Sequence, residues 1–305
     1  MVDGEDGWLY GYFTADPDPA KVNYPHCGFG FARSKDGVTW EALPPVGGDI
    51  SGDFGGIEKI GDKYYALISH FAGHGRVVVS DKPEGPFHAQ KKNFKMFGTQ
   101  DQSAACFPRF IHGAPGGPLV NHHYMDGVTY SAPFKAVEID REGVLRLKWW
   151  NGNDTLKSEP VEFSLGAREG YAASMLLVDH KVNLGRVAVV EGTARLGDKA
   201  DVNGPGLFFD HGNGNGQCVL FAADAASFGN LKSDAGGLAI LSTVKQDLNF
   251  GREARFRVVM KHDMMECYVN DYLTMVKRVP WNGQLGLLGG GNRETFKEVR
   301  IWQSK

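Results

Sequence analysis

Two acids near one another in the chain pose the first chemical question. Glu58 lies in the run GGIEKI, and Asp53 precedes it by five positions. Hydrolysis of a glycosidic bond uses two carboxyl groups, about 5 Å apart for retention of configuration or about 6.5–9.5 Å apart for inversion, one of them held protonated by its surroundings. Gly55-Gly56, just ahead of Glu58, would let a ligand come close to the backbone. Each acid also has a plainer reading: Glu58 as an outward-facing strand residue beside Lys59, and Asp53 as a turn-stabilising side chain after Gly52.

Other side chains could recognise such a substrate. Arg109 sits in the apolar run CFPRFI, where a buried guanidinium would need a hydroxyl-rich or anionic partner, supplied by a sugar or by an acid of a neighbouring element. His122 and His123 are adjacent in LVNHHYMD, so strand alternation sends them to opposite faces and at most one looks into a shared hollow. Trp149-Trp150 is the strongest aromatic pair; an exposed indole would stack on a sugar ring, whereas adjacent strand positions would instead send one ring into a core and the other under a domain junction. With His26, His70 and His74, the histidines are scattered singles without metal-ligand spacing, so no metal or cofactor is expected. His211-Gly-Asn-Gly-Asn-Gly lacks the acidic ligands of a calcium loop and reads as a hairpin turn. No GxSxG, P-loop, HExxH or dinucleotide fingerprint is present.

The elements that would carry these residues are strands. The 305 residues include 41 Gly and 14 Pro, with few long stretches free of both, which points to many short strands and turns. The length exceeds the usual single domain, and 42% hydrophobic residues can furnish two cores. A net charge of -3 with interspersed signs gives no broad basic face, which argues against nucleic acid or an anionic membrane as partner. Cys27, Cys106, Cys218 and Cys267 form no CxxC pair and read as buried thiols. No apolar run reaches the roughly 20 residues of a membrane span, and MVDGEDG has neither the basic nor the apolar region of a signal peptide; localisation stays open, secreted or periplasmic if a signal has been removed upstream.

One hairpin pattern recurs. Phe31-Ala-Arg-Ser-Lys-Asp-Gly-Val-Thr-Trp40 is echoed by Val78-Val-Ser-Asp-Lys-Pro-Glu-Gly-Pro-Phe87 and, more loosely, by Val137-Glu-Ile-Asp-Arg-Glu-Gly-Val-Leu-Arg-Leu147. In each an apolar strand meets Ser or Asp, a turn closes on Gly, and a second strand leaves. Inner strands precede each hairpin, around Leu9, around Ile57 to Ile68, and around Cys106 with Leu119. The spacing falls in or just above the range of four-stranded β-propeller blades. The pattern changes over KSEPVEFSLGAREG. The predicted organisation is a propeller-like domain over residues 1–163 with about three recognisable blades, then a concanavalin-like β-sandwich over 168–305. About ten strands are expected in the second part, with one solvated face per sheet.

On these motifs, above all Gly30-Phe-Ala-Arg-Ser-Lys-Asp-Gly-Val-Thr-Trp-Glu-Ala-Leu-Pro-Pro45 and Met265-Glu-Cys-Tyr-Val-Asn-Asp271, the chain resembles glycoside hydrolase families 32 and 43, five-bladed propeller furanosidases with a trailing sandwich. The resemblance implies a glycosidase of fructan, arabinan or xylan type. Those families place acids in Asn-Asp-Pro-Asn, Arg-Asp-Pro and Glu-Cys motifs. Here Asp16-Pro-Asp-Pro19 has similar letters after the first strand, and Cys106 follows Ala105 instead of Glu. About two blades are unaccounted for. Expected roles are therefore Glu58 and Asp53 as catalytic carboxylates and Arg109, His122, His123, Trp149 and Trp150 as carbohydrate contacts. The alternatives are a non-catalytic sugar binder and an assembly protein whose propeller is completed by a second copy.

Overall fold

The structure, a computed structural model, describes residues 1–15, 28–48, 52–70, 74–93, 95–98, 105–126, 128–168, 175–199, 201, 204–212, 215–232, 237–245, 248–289 and 295–305. It is 62% strand and 3% helix, which makes it all-β. The chain divides into two compact units, Met1–Leu147 and Lys148–Lys305. The division falls ahead of the stretch where the sequence changes character, because Glu159 and Pro160 there pair with Gln303 and Trp302 and so belong to a sheet of the second unit.

The first unit contains two four-stranded antiparallel sheets of the blade type and a third group of antiparallel strands. Strands β1 (Val2–Asp3), β2 (Leu9–Ala15), β3 (Gly28–Ser34) and β4 (Trp40–Leu43) form a meander in that order. A second meander comprises β5 (Asp53–Ile60), β6 (Lys63–His70), β7 (His74–Ser80) and β8 (His88–Ala89). In the third, β10 (Leu119–Asp126) pairs with β9 (Cys106–Ile111), with β11 (Val128–Ser131) near its end and with β12 (Lys135–Ile139) near its start. Strand β13 (Leu145–Trp149) follows. Alternating residues of the first two sheets, among them Tyr10, Tyr12, Phe29, Phe31, Ile57, Tyr64, Ala66, Ile68 and Val78, pack into one core. Phe29 and Phe54 meet edge to face at 4.7 Å, an arrangement aromatic rings favour.

Local chemistry closes the recurring hairpins. In the first, the Asp36 carboxylate accepts the backbone N–H groups of Val38 at 2.8 Å and Thr39 at 2.7 Å, and Gly37 takes a φ of 74°. Those bonds favour the charged form and bring the Asp36 pKa down to about 2. In the third, Asp140 accepts the N–H groups of Glu142 and Val144 at 2.9 and 3.0 Å, and Gly143 takes a φ of 77°. The shared Asp and Gly letters of these repeats are thus the turn itself.

In the second unit β14 (Glu159–Pro160), β15 (Leu165–Arg168), β16 (Met175–Lys181), β17 (Ala188–Arg195), β18 (Gly206–Gly212), β19 (Asn215–Phe221), β20 (Ala225–Leu231), β21 (Leu238–Lys245), β22 (Glu253–Lys261), β23 (Met264–Val269), β24 (Tyr272–Arg278), β25 (Gln284–Leu288) and β26 (Phe296–Gln303) form two sheets. One runs β24-β23-β22-β17-β26-β14, and the other is seven-stranded, β15-β16-β25-β18-β19-β20-β21. Facing positions of both, including Val190, Phe256, Val258, Cys267, Leu207, Phe209, Phe221, Phe228 and Leu287, make the core of a β-sandwich. The expected solvated face of each sheet is corrected by the seven-stranded one. Phe208, Cys218 and Leu220 point away from that core yet are buried, in a second apolar cluster with Met175, Leu231 and Leu288. Cys106, Cys218 and Cys267 are buried thiols outside any disulfide, as expected, and Cys27 lies outside the described residues.

Candidate functional site

The seam between β5 and β9, the first strands of the second and third sheets, brings together the most chemistry in the first unit. A Cβ added to Gly55 would lie 1.9 Å from the carbonyl oxygen of Pro108, and one on Gly56 would lie 3.3 Å from the Phe110 nitrogen and 3.7 Å from the Arg109 Cα. The two strands therefore approach backbone to backbone. This corrects the reading of Gly55-Gly56 as an opening for a ligand: the neighbour that needs the missing side chains is β9.

Glu58 sits two residues further along the same seam. Its carboxylate lies 3.3 Å from His112 Nδ1, with 22% of its side chain exposed. Burial pushes the Glu58 pKa up, opposed by His112 and by the amino terminus. The carboxyl consequently keeps its proton to a higher pH than an exposed glutamate does. Asp53 is not its partner. The five-position step from Asp53 to Glu58 along β5 spans roughly 16 Å at about 3.3 Å per residue, well beyond the separation of a glycosidase pair.

Arg109 belongs to the same seam but is not buried. In Cys106–Ile111 the residues Cys106, Pro108 and Phe110 turn inward, so alternation leaves Phe107 and Arg109 exposed. His123 joins them: its ring meets that of Phe107 at 6.4 Å, and burial, reinforced by the Arg109 charge, lowers its pKa. His122 points the other way, fully buried, 4.5 Å from the Phe97 ring and edge-on to Tyr124 at 5.1 Å. It is a core residue, which removes it from the expected sugar contacts. Phe107 itself holds a φ of +47°, a conformation rare for an aromatic residue, with 37% of its surface exposed.

The tryptophan pair is also corrected. Trp149 is buried, its face covered by the Arg257 guanidinium at 4.3 Å, its edge by Tyr268, and its Nε1–H donates to Asp154 at 3.0 Å. No face is left for a sugar. Trp150 is half-buried, and its ring occupies the space beside Gly152. Among the described residues no three His, Cys, Asp or Glu side chains come together as a metal centre. Asp16 to Pro19 and His26 lie outside the described residues.

Two residues of the seam escaped sequence reasoning. His112 follows the last strand residue and belongs to no motif. Phe107 is hidden in an apolar run, although the alternation that exposes Arg109 could have exposed it too.

No protein-family model matches the sequence, and no curated protein matches it. Solved structures do match in three dimensions. The chain is similar to a family 32 β-fructofuranosidase from Bombyx mori, solved as a mutant with sucrose, at TM-score 0.60 and 10% identity, over 97% of this chain and 63% of that one. It is similar to an exo-inulinase from Aspergillus awamori at TM-score 0.57 and 9% identity, over 96% and 66%. A β-fructofuranosidase from Schwanniomyces occidentalis, complexed with fructosyl-erythritol, matches at TM-score 0.55 and 8% identity, over 98% and 70%. The chain thus has the fold of these glycoside hydrolases, propeller sheets followed by a sandwich, and spans a little under two thirds of the length of the first two.

Proposed function

We propose that this chain is a glycoside hydrolase-like protein that engages an oligo- or polysaccharide of the fructan, arabinan or xylan type along the β5–β9 seam. The observation that carries the reading is Glu58: a partly desolvated carboxyl on a first strand, its pKa raised by burial, set beside an imidazole. A carboxylic acid of this kind can give a proton to a departing glycosidic oxygen. Arg109 and His123 supply donors for sugar hydroxyls, and the exposed Phe107 ring supplies an apolar face for a sugar ring. The solved structures it is similar to include sugar complexes of fructofuranosidases, which supports the ligand class.

A second reading, a non-catalytic sugar binder, is favoured by the distance between Glu58 and Asp53, which leaves the acid without the carboxylate partner proposed from sequence. Hydrolysis and binding of a fructan, arabinan and xylan panel by the wild type and by Glu58→Gln separate the two. Loss of hydrolysis by about 10²-fold or more with binding retained is expected for an acid in the reaction. Binding without hydrolysis in either protein establishes the second reading, and hydrolysis unchanged by Glu58→Gln removes Glu58 from the chemistry.

A further inference from the structure

The first sheet is apolar on both of its faces. Tyr10, Tyr12, Phe29 and Phe31 fill the core shared with the second sheet. The intervening positions make the opposite face, where Gly11, Ala32 and Ala42 stand abreast on β2, β3 and β4, and Phe13 stands beside Gly30. No position of these three strands on that face carries a charge. An antiparallel sheet with one wet face alternates apolar with polar residues, so LYGYF and GFGFA lack the half of the pattern that water would select.

Little polar capacity is left on this face. The Ser34 hydroxyl donates to Asp36 at 3.0 Å and accepts the Gly37 N–H at 2.9 Å, and Trp40 Nε1–H donates to the Gly37 carbonyl at 3.2 Å. What remains outward is ring surface. The Phe13 ring lies over Gly30, where a Cβ would come within 2.1 Å of it, and the Trp40 ring lies over Gly11, within 2.8 Å. The rings thus cover both glycines and flatten the face. Phe13 is nevertheless 48% exposed and Trp40 38%, with Val38 83% exposed in the turn of the same hairpin. The second sheet shows what such a pattern serves. Tyr64, Tyr65, Ala66, Leu67 and Ile68 of β6 are buried in an unbroken row, because that sheet is covered on both faces.

The character of the face selects its occupant. A partner recognised by charge finds none to pair with, and an apolar helix needs a groove, which the flat rings do not leave. The same face of a second copy fits, since two uncharged faces meet about a two-fold axis with no like charges opposed. Seven-residue strands at about 3.4 Å per residue, three of them about 4.8 Å apart, give a face of roughly 24 by 14 Å, so a pair buries on the order of 700–1,000 Å² in total. That is the low end of specific contacts and suits a reversible pair. We infer that the outer face of the first sheet is the contact of a weak, reversible dimer of this chain, in which Phe13 and Trp40 of one copy pack on the same face of the other. The contact lies on the side of the first sheet away from β5, so it makes no use of Glu58.

The test is sedimentation equilibrium of the full chain from about 5 to about 500 μM. A monomer–dimer equilibrium with a Kd on the order of 10–200 μM is expected. It should change little between about 0.05 and about 0.5 M salt, because no charges pair across it. Ala42→Glu alters a small, exposed side chain and removes no packing; it should raise the Kd about tenfold or more by bringing a charge into the apolar contact, with the melting temperature of the dilute chain held within about 2 °C. Ile240→Glu, on the exposed strand β21, should leave the Kd unchanged. A monomer at every concentration overturns the inference. A dimer that survives Ala42→Glu, or one that is lost in Ile240→Glu, overturns it as well, the last result placing the contact at the edge of the sandwich.

Discussion

Glu58 and Glu191 are nearly alike in exposure, at 22% and 19% of the side chain, and opposite in surroundings. Glu58 faces one imidazole, and burial is the largest influence on its carboxyl. Glu191 is held between Arg257 and Lys157, inside a network that continues to Asp271 and Asp154. Burial alone therefore does not decide what a glutamate does. A desolvated carboxyl with a weak partner is suited to hold and release a proton, whereas one locked by two cations is a fixed acceptor that shapes a wall.

Removing the locked carboxylate should have the largest effect. Glu191→Ala leaves two largely buried cations without their shared acceptor and should cost about 2–3 kcal/mol of stability in a denaturant titration. Glu58→Ala should change stability by less than about 1 kcal/mol, because it relieves a desolvated carboxyl. A larger loss at Glu58 than at Glu191 would break the comparison. Next comes the strand on which Glu58 is mounted. Gly55→Ala forces a methyl against the Pro108 carbonyl and should cost about 2 kcal/mol, while Gly56→Ala, with its nearest neighbour at 3.3 Å, should cost less than half of that. Equal costs would mean that β5 and β9 are not in backbone contact at Gly55.

The sequence showed its turns more clearly than its packing. Asp36-Gly37, Asp140-Gly143 and Asn270-Asp271 were readable because each is a local event, in which a short polar side chain or a residue at positive φ closes a hairpin within a few positions. Most sandwich strands were readable from alternation for the same reason. Strand β20 was not, since AASFGNL is rich in small residues and holds its place through partners on both sides. The site was less legible still. Gly55-Gly56 reads the same whether a ligand or another strand comes near, Arg109 reads as buried until its neighbours are seen to turn inward, and Trp149 reads as a platform until Arg257 covers it. Glu58 was singled out by its place between isoleucines on a first strand, whereas His112, which the structure puts beside it, belongs to no motif.

Acid and alkaline limbs of stability sharpen the contrast further. The folded chain holds the Glu58 proton more tightly than the unfolded chain, so that contribution is fully present below the ordinary glutamate value of about 4.3 and is lost as pH rises through the raised one. Glu58→Gln should flatten this fall in a series of melts across pH 4 to 7, and an unaltered slope would count against the desolvated carboxyl. Asp36 acts in the reverse direction. Its folded pKa is depressed to about 2, so its contribution is present above the ordinary aspartate value and lost as pH falls toward 2. Asp36→Ala should lower the melting temperature by about a degree at neutral pH and by less in acid, the smallest effect of the set.

The most direct measurement is a carboxyl NMR titration of Glu58, assigned by the signal that disappears in Glu58→Gln. A midpoint clearly above the ordinary glutamate value of about 4.3 is expected, moving down in Gly55→Ala, whose methyl pushes β9 away at the Pro108 carbonyl and lets water into the seam. A midpoint at or below 4.3 would contradict the account of Glu58 as a carboxyl poised to deliver a proton.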